Sequence, residues 1–349
     1  MGDTRERAVW IDVLRGICGL LVIVAHAEYF ARAEAGADWA SAMDTLWMPG
    51  VDALNLIVSP LRMELLFLLS GMFLARSLAK GRSHYFRGKL DNVVYPFLVW
   101  LLLNFALREG GSVVMLGESV NWWNLAELLV GHAPPTWFLF DLALFFLVAP
   151  WLRRFPIWIL VPALVALSIL VGRMATPHDG EFFYHLAFFL CGDAIVRARL
   201  DLTRPPLWWL GVSTLCLVAT SILALHSGLA KTWPGYLPLV LGSVPLLAWL
   251  AARLAQTPLA PALAYVGRNA IVFYVVHFTL FIALIVVLRK VTHDGVWLFV
   301  GLLTAGVGTP LALCLLRVRR GWRWLDLLFS PALLRARHRV SEATRTDPA

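Results

Sequence analysis

Residues 9–30 read VWIDVLRGICGLLVIVAHAEYF, an apolar run interrupted by Asp12, Arg15 and His26. A helix needs about 20 mostly apolar residues to cross a bilayer, and inside hydrocarbon the backbone must satisfy its own hydrogen bonds. This run meets the length requirement. Nine more come after it, at 54–78, 93–107, 137–151, 155–171, 182–196, 207–225, 235–252, 270–288 and 296–316. The expected fold is therefore all-α: a polytopic integral membrane bundle of about ten transmembrane helices. Residues 1–330 would form a single transmembrane domain, and 331–349 a disordered cytoplasmic tail.

Composition points the same way. Hydrophobic residues make up 60% of the 349 and charged ones 15%, against roughly 45–50% and about 25% in soluble domains. A water-soluble globule could not hide the 16 Trp and 20 Phe, and a disordered chain would not carry them. The net charge of +8 resembles a nucleic-acid signal until the basic residues are placed. They lie between the apolar runs, as in a membrane protein, so no nucleic-acid partner is expected. The four cysteines (Cys18, Cys191, Cys216, Cys314) are scattered without C-x-x-C spacing. Neither a disulfide framework nor a metal site is indicated by them.

The basic residues also set an orientation. One set of connections holds Arg5 and Arg7, then Arg76, Lys80, Arg82, Arg87 and Lys89, then Arg153 and Arg154. It continues through Arg197, Arg199, Arg204, Arg253 and Arg268 to the tail beyond Arg317. The opposite set holds only Arg32, Arg108, Arg173, Lys231, Arg289 and Lys290. Ten spans make this bias alternate without a break and put both termini in the cytoplasm, the protein lying in the inner (plasma) membrane. Ala25-His26-Ala27 mimics a signal-peptide cleavage site, but Asp12 and Arg15 interrupt the start and nine spans come after it. The connections 31–53 and 108–136 are too short to fold as catalytic domains. The run 317–334, which mixes Arg with Trp, Leu and Phe, suits a helix on the inner leaflet. Any active site must then be built on the membrane helices.

Ionisable groups there cost at least ~2.5–3.5 kcal/mol each on insertion scales. Arg15 and His26 are eleven residues apart, which brings them to within about 20° of one helical face, roughly 16 Å apart along the axis. Asp12 lies about 60° from Arg15, so the three form a polar stripe from the inner end towards the outer. The alternative is that Asp12 and Arg15 only anchor the helix end while His26 snorkels outward. On the second span, Arg62 and Glu64 lie near the level of His26. They either join two helices as an ion pair or let Glu64 orient the His26 imidazole. The Ser70-Gly71 pair allows close helix approach. Trp137 opens the fourth span with Asp141 a turn in, and His277 sits mid-span as a helix-joining or catalytic imidazole. Asp193 ends the sixth span within reach of Arg197, and His132 lies on an outer loop. His84, His178, His185, His226, His293 and His338 obey no usable pattern.

Together these residues resemble the membrane acyltransferase family 3, bacterial O-acyltransferases of cell-surface sugars. Ile11-Asp12-Val13-Leu14-Arg15-Gly16 with His26 is similar to the family's first-helix signature. The Ser70-Gly71 helix, the Pro134–Leu139 stretch and Gly267-Arg268-Asn269…Tyr274…His277 come next, in the family's order. A departure falls before Pro96, where the family's paired-Arg motif is matched by Lys89 but has Asn92 for its second Arg.

The resemblance implies an O-acyltransferase, with cytoplasmic acyl-CoA (acetyl-CoA first) as co-substrate rather than a tightly bound cofactor. The acceptor would be a hydroxyl of an extracytoplasmic sugar or glycolipid. Arg15, Lys89 and Arg87 would hold the donor's phosphates. His26 would be the general base, its ordinary pKa of ~6.5 suiting the task, or would carry a transient acyl group. Glu64 would support it, and Asp12, Arg62, Trp137 and His277 stand as supporting residues. The competing class is a transporter or lipid flippase, whose intramembrane charges would line a pathway.

Overall fold

The computed structural model of the protein describes residues 6–129, 136–174, 177–319 and 322–331, and all regular structure among them is helical. Ten helices cover the ten apolar runs. They are α1 (Glu6–Ala35), α2 (Met48–Gly71), α3 (Tyr95–Leu116), α4 (Trp137–Leu152) and α5 (Ile157–Met174), then α6 (Pro177–Arg197), α7 (Leu207–His226), α8 (Tyr236–Leu254), α9 (Ala270–Leu288) and α10 (Gly295–Arg319).

Eight of them, all but α4 and α6, belong to helical stretches long and apolar enough to cross a membrane. α4 is apolar but 16 residues long. α6 has 21 residues and carries Glu181, Asp193 and Arg197. α1 is the longest, and at about 1.5 Å per residue its 30 residues reach about 45 Å, more than the ~30 Å hydrocarbon layer. The helix starts are written locally. A proline occupies the first turn of α2, where a missing N–H costs nothing. α3 stops at Gly117, whose φ of 69° is the left-handed C-cap that glycine adopts without strain.

The described residues fall into two compact units, one from 1–76 and 151–308 and one from 77–150 and 309–349. In the first unit, two helix crossings are made by glycines that meet the partner's backbone. A Cβ on Gly16 of α1 would lie 2.1 Å from the Leu263 carbonyl oxygen in the short helix Ala260–Arg268. One on Gly267 would lie 1.8 Å from the Asp12 oxygen. The second crossing repeats this: Gly71 of α2 against the Phe189 oxygen (1.8 Å), and Gly192 of α6 against the Leu68 oxygen (2.0 Å). Small residues at such points let backbones approach and pack, which is the role that Ser70-Gly71 suggests in the sequence.

In the second unit, the helix Arg82–Lys89 passes through a π-helical turn, Leu90–Val94, into α3. The expected inner-leaflet helix after residue 317 takes another form. Residues 323–328 are a 3-10 turn pinned to the start of α3. The Tyr95 hydroxyl donates to the Leu327 carbonyl (2.6 Å), the Trp100 indole N–H to that of Leu328 (2.9 Å), and Arg317 pairs with Asp326. Leu325 and Phe329 are buried, so their apolar surface is spent on protein rather than on lipid. The tail expected at 331–349 lies outside the described residues apart from residue 331.

Candidate active site

His26 and His277 meet. The His26 Nδ1 is 2.9 Å from the His277 Nε2, and the His277 Nδ1 is 2.7 Å from the Phe273 carbonyl oxygen one turn back on α9. The rings are 16° from coplanar with centroids 5.2 Å apart. That spacing is what an in-plane hydrogen bond through two ring nitrogens gives, about 5 Å.

The carbonyl fixes the protons. It can only accept, so the His277 Nδ1 carries the hydrogen and its Nε2 is the bare acceptor. The His26 Nδ1 must then be the donor, which leaves the Nε2 of His26 as the nitrogen with the free lone pair. His277 is 1% exposed, whereas His26 is only half-buried. Phe278 packs edge-on against His26 (centroids 5.0 Å) and holds the ring's plane.

Further along the same helix, the Arg15 guanidinium lies 5.1 Å from the Phe73 ring centroid. It is close enough to a ring face for a cation–π contact. Among the described residues it makes no hydrogen bond and has no carboxylate within ion-pair distance. Its neighbour Asp12 instead faces Arg268 at 3.9 Å. Asp12 thus ties α1 to the short helix of the glycine crossing and lends its charge to Arg15 without bonding to it.

Arg62 and Glu64 do not pair with each other. Arg62 donates to the Leu21 carbonyl (3.3 Å) and to the Asn55 side-chain oxygen (3.2 Å), bracing α2 against α1. Asn55 in turn donates to Glu28, which is bridged to Arg32 (2.6 Å), and Arg32 reaches Asp52. Glu64 stands against His185 of α6 at 3.7 Å, both side chains 1% exposed, and Phe67 lies against the His185 ring at 4.8 Å. The group hydrogen-bonded to His26 is therefore His277, and the partner of Glu64 is a histidine that no pattern in the sequence singles out. Asp193 accepts from Arg153 (3.1 Å) and is ion-paired with Arg197 (2.9 Å), the second as its spacing suggests.

In the second unit, the Lys89 ammonium sits 3.6 Å from the Phe146 ring centroid and 5.6 Å from that of Tyr85. The Tyr85 hydroxyl donates to the Phe146 carbonyl (2.6 Å) and fixes that wall. Arg87 is exposed and Asp91, in the π turn, is buried. Trp137 is half-buried at the first turn of α4, and Asp141 is buried one turn on. His132 lies outside the described residues. Among those residues no group of three or more His, Cys, Asp or Glu side chains could hold a metal ion.

Comparison with known proteins bears on this arrangement. The sequence profile of a family described as an acyltransferase domain matches residues 8–316, nearly the whole of the helical chain. No curated protein and no solved structure matches it. The match takes in the Arg15–His26 stripe, both glycine crossings and His277, and with eight helices among the described residues long and apolar enough to cross a membrane it makes the chain a member of the membrane acyltransferase family 3, a multi-pass membrane acyltransferase.

Proposed function

We propose that the protein is an O-acyltransferase that moves an acyl group, acetyl first, from cytoplasmic acyl-CoA to a hydroxyl of a cell-envelope sugar or glycolipid. It sits in the inner membrane with both ends in the cytoplasm, as the Lys/Arg bias of its connections argues. The observation that carries this reading is the hydrogen-bond relay from Phe273 through His277 to His26.

The relay makes one tautomer of His26 the stable one and leaves its Nε2 lone pair as a general base. The acceptor hydroxyl gives its proton to that nitrogen as its oxygen attacks the thioester carbonyl. The tetrahedral adduct then expels the CoA thiolate, and the proton held on His26 goes to the sulfur. One ester and one thiol result, with no charge gained or lost. Arg15, with no carboxylate within ion-pair distance among the described residues, offers its guanidinium to the phosphates of the donor, a geometry the planar fork suits. His277 acts as the positioning residue.

The test is release of CoA thiol by the purified protein given acetyl-CoA and a panel of sugar acceptors. Thiol release that requires an acceptor, with the acetyl ester found on it, is the expected result. Movement of a sugar or lipid across vesicles with no thioester turnover would overturn the reading.

A further inference from the structure

A cavity of about 680 Å³ opens where α1 and α7 begin and α8 ends, within the first unit. Among its lining residues are Trp10, Thr203, Arg204, Trp249, Arg253 and Gln256. It is separate from the reacting stripe. Trp10 and Arg15 are five residues apart, about 140° around α1, so the cavity and the Arg15 guanidinium belong to different faces of that helix.

Its chemistry is that of an anion site at a membrane surface. Arg204 and Arg253 are both exposed, and among the described residues neither has a carboxylate within ion-pair distance. The Arg253 guanidinium lies 5.3 Å from the Trp249 ring centroid, which fixes it while leaving its N–H groups to a ligand. Asp201, the acid among the described lining residues, accepts from the Thr203 backbone N–H (3.1 Å) and hydroxyl (2.7 Å) and so closes the turn that presents Arg204. α7 opens at Leu207 with Pro206 as its cap residue and no side chain bonded to its first amides, adding positive potential beside the two guanidinium groups. Next to the cavity, Leu207 and Trp208 are 86% and 70% exposed, the kind of side chains that meet lipid at the level of the headgroups.

We propose that this cavity binds the phosphate headgroup of an anionic phospholipid, with Arg204 and Arg253 on the phosphate and the acyl chains lying along Leu207 and Trp208. Two guanidinium groups in a recess of this size match one phosphodiester. On the orientation proposed above the site faces the cytoplasmic leaflet, where anionic lipids give the membrane its negative surface potential. The same phosphate chemistry could come from the nucleotide of acyl-CoA. The exposed apolar pair beside the recess favours the lipid.

The experiment is native mass spectrometry of the whole protein purified in detergent and offered phosphatidylglycerol or phosphatidylcholine. Wild-type protein should retain phosphatidylglycerol about 10-fold better, the size of effect a charge-assisted contact gives. Arg204→Gln/Arg253→Gln should lose that preference, while Lys80→Gln/Arg154→Gln, which removes equal charge elsewhere, should keep it. Adenosine 3′,5′-bisphosphate should not displace the lipid. Equal loss in both double variants, unchanged retention in the first, or displacement by the nucleotide would each overturn the lipid site. Unchanged melting in phosphatidylcholine checks that the variants fold, and Arg253→Gln alone, expected to weaken retention severalfold, serves if the double variant does not.

Discussion

Two histidine pairs in the first unit, His26–His277 and Glu64–His185, are built differently. The His26–His277 pair is held from one end by the Phe273 carbonyl, and at its other end stands a half-buried ring with one nitrogen unbonded. The Glu64–His185 pair joins α2 to α6 with both members 1% exposed. Both put ionisable groups where hydrocarbon penalises them. Only the first has a member that is not fully buried. Access, more than the presence of charge, separates an intramembrane site that can react from one that joins helices.

Substitutions turn this contrast into measurements. The largest effect is expected from His26→Ala. Loss of a general base typically costs 10²–10⁴-fold, so acetyl-CoA turnover should nearly vanish while the protein still purifies as a folded species. Near-normal turnover would move the chemistry elsewhere. Arg15→Ala should raise the acetyl-CoA KM about 10–100-fold, the value of a charged hydrogen bond or two. Arg15→Lys should recover part of it, since an ammonium cannot make the paired contacts. An unchanged KM would leave Arg15 as a helix anchor.

His277→Ala should lower kcat by about 10-fold to 100-fold with KM little altered, because the base survives but its tautomer and plane are no longer fixed. A variant as inactive as His26→Ala would make His277 more than a positioning residue. The smallest effect on catalysis belongs to Glu64→Gln. Its cost should appear in stability, on the order of 1–3 kcal/mol for a disturbed buried polar contact, read as a lowered melting temperature with kcat within about 2-fold of wild type. A collapse of kcat in well-folded Glu64→Gln protein would erase the distinction between the two pairs.

A single helix encodes its own span, its faces and its depths, and those are the features legible in the sequence. Apolar runs mark the helices because the bilayer leaves the backbone no other choice, and helical periodicity alone puts Asp12, Arg15 and His26 on one stripe. Depth along a span can also be counted, which puts Arg62 and Glu64 near the level of His26. Rotation about the axis relative to a neighbour cannot be counted, so depth aims Glu64 at His26 when it faces His185. His26 and His277 are 251 residues apart, and no local pattern records that contact. Gly71 announces a close crossing but not that Phe189 is the backbone it meets. The chain after residue 317 has the composition of a surface helix. Tyr95 and Trp100 supply carbonyl-seeking donors that hold residues 323–328 of it in a 3-10 turn instead.

The crossing of Gly16 with Gly267 also fixes a length. His26 lies ten residues beyond the one glycine along unbroken α1, and His277 ten residues beyond the other across the break at Asn269, where the short helix ends and α9 begins, so the two segments work as the arms of a caliper hinged where their backbones touch. The α1 arm reaches about 15 Å at helical rise, and the turn at Asn269 aims the other so that the imidazoles meet 2.9 Å apart. One residue added to either arm would lift its tip about 1.5 Å and swing it about 100°, and the jaws would close on nothing.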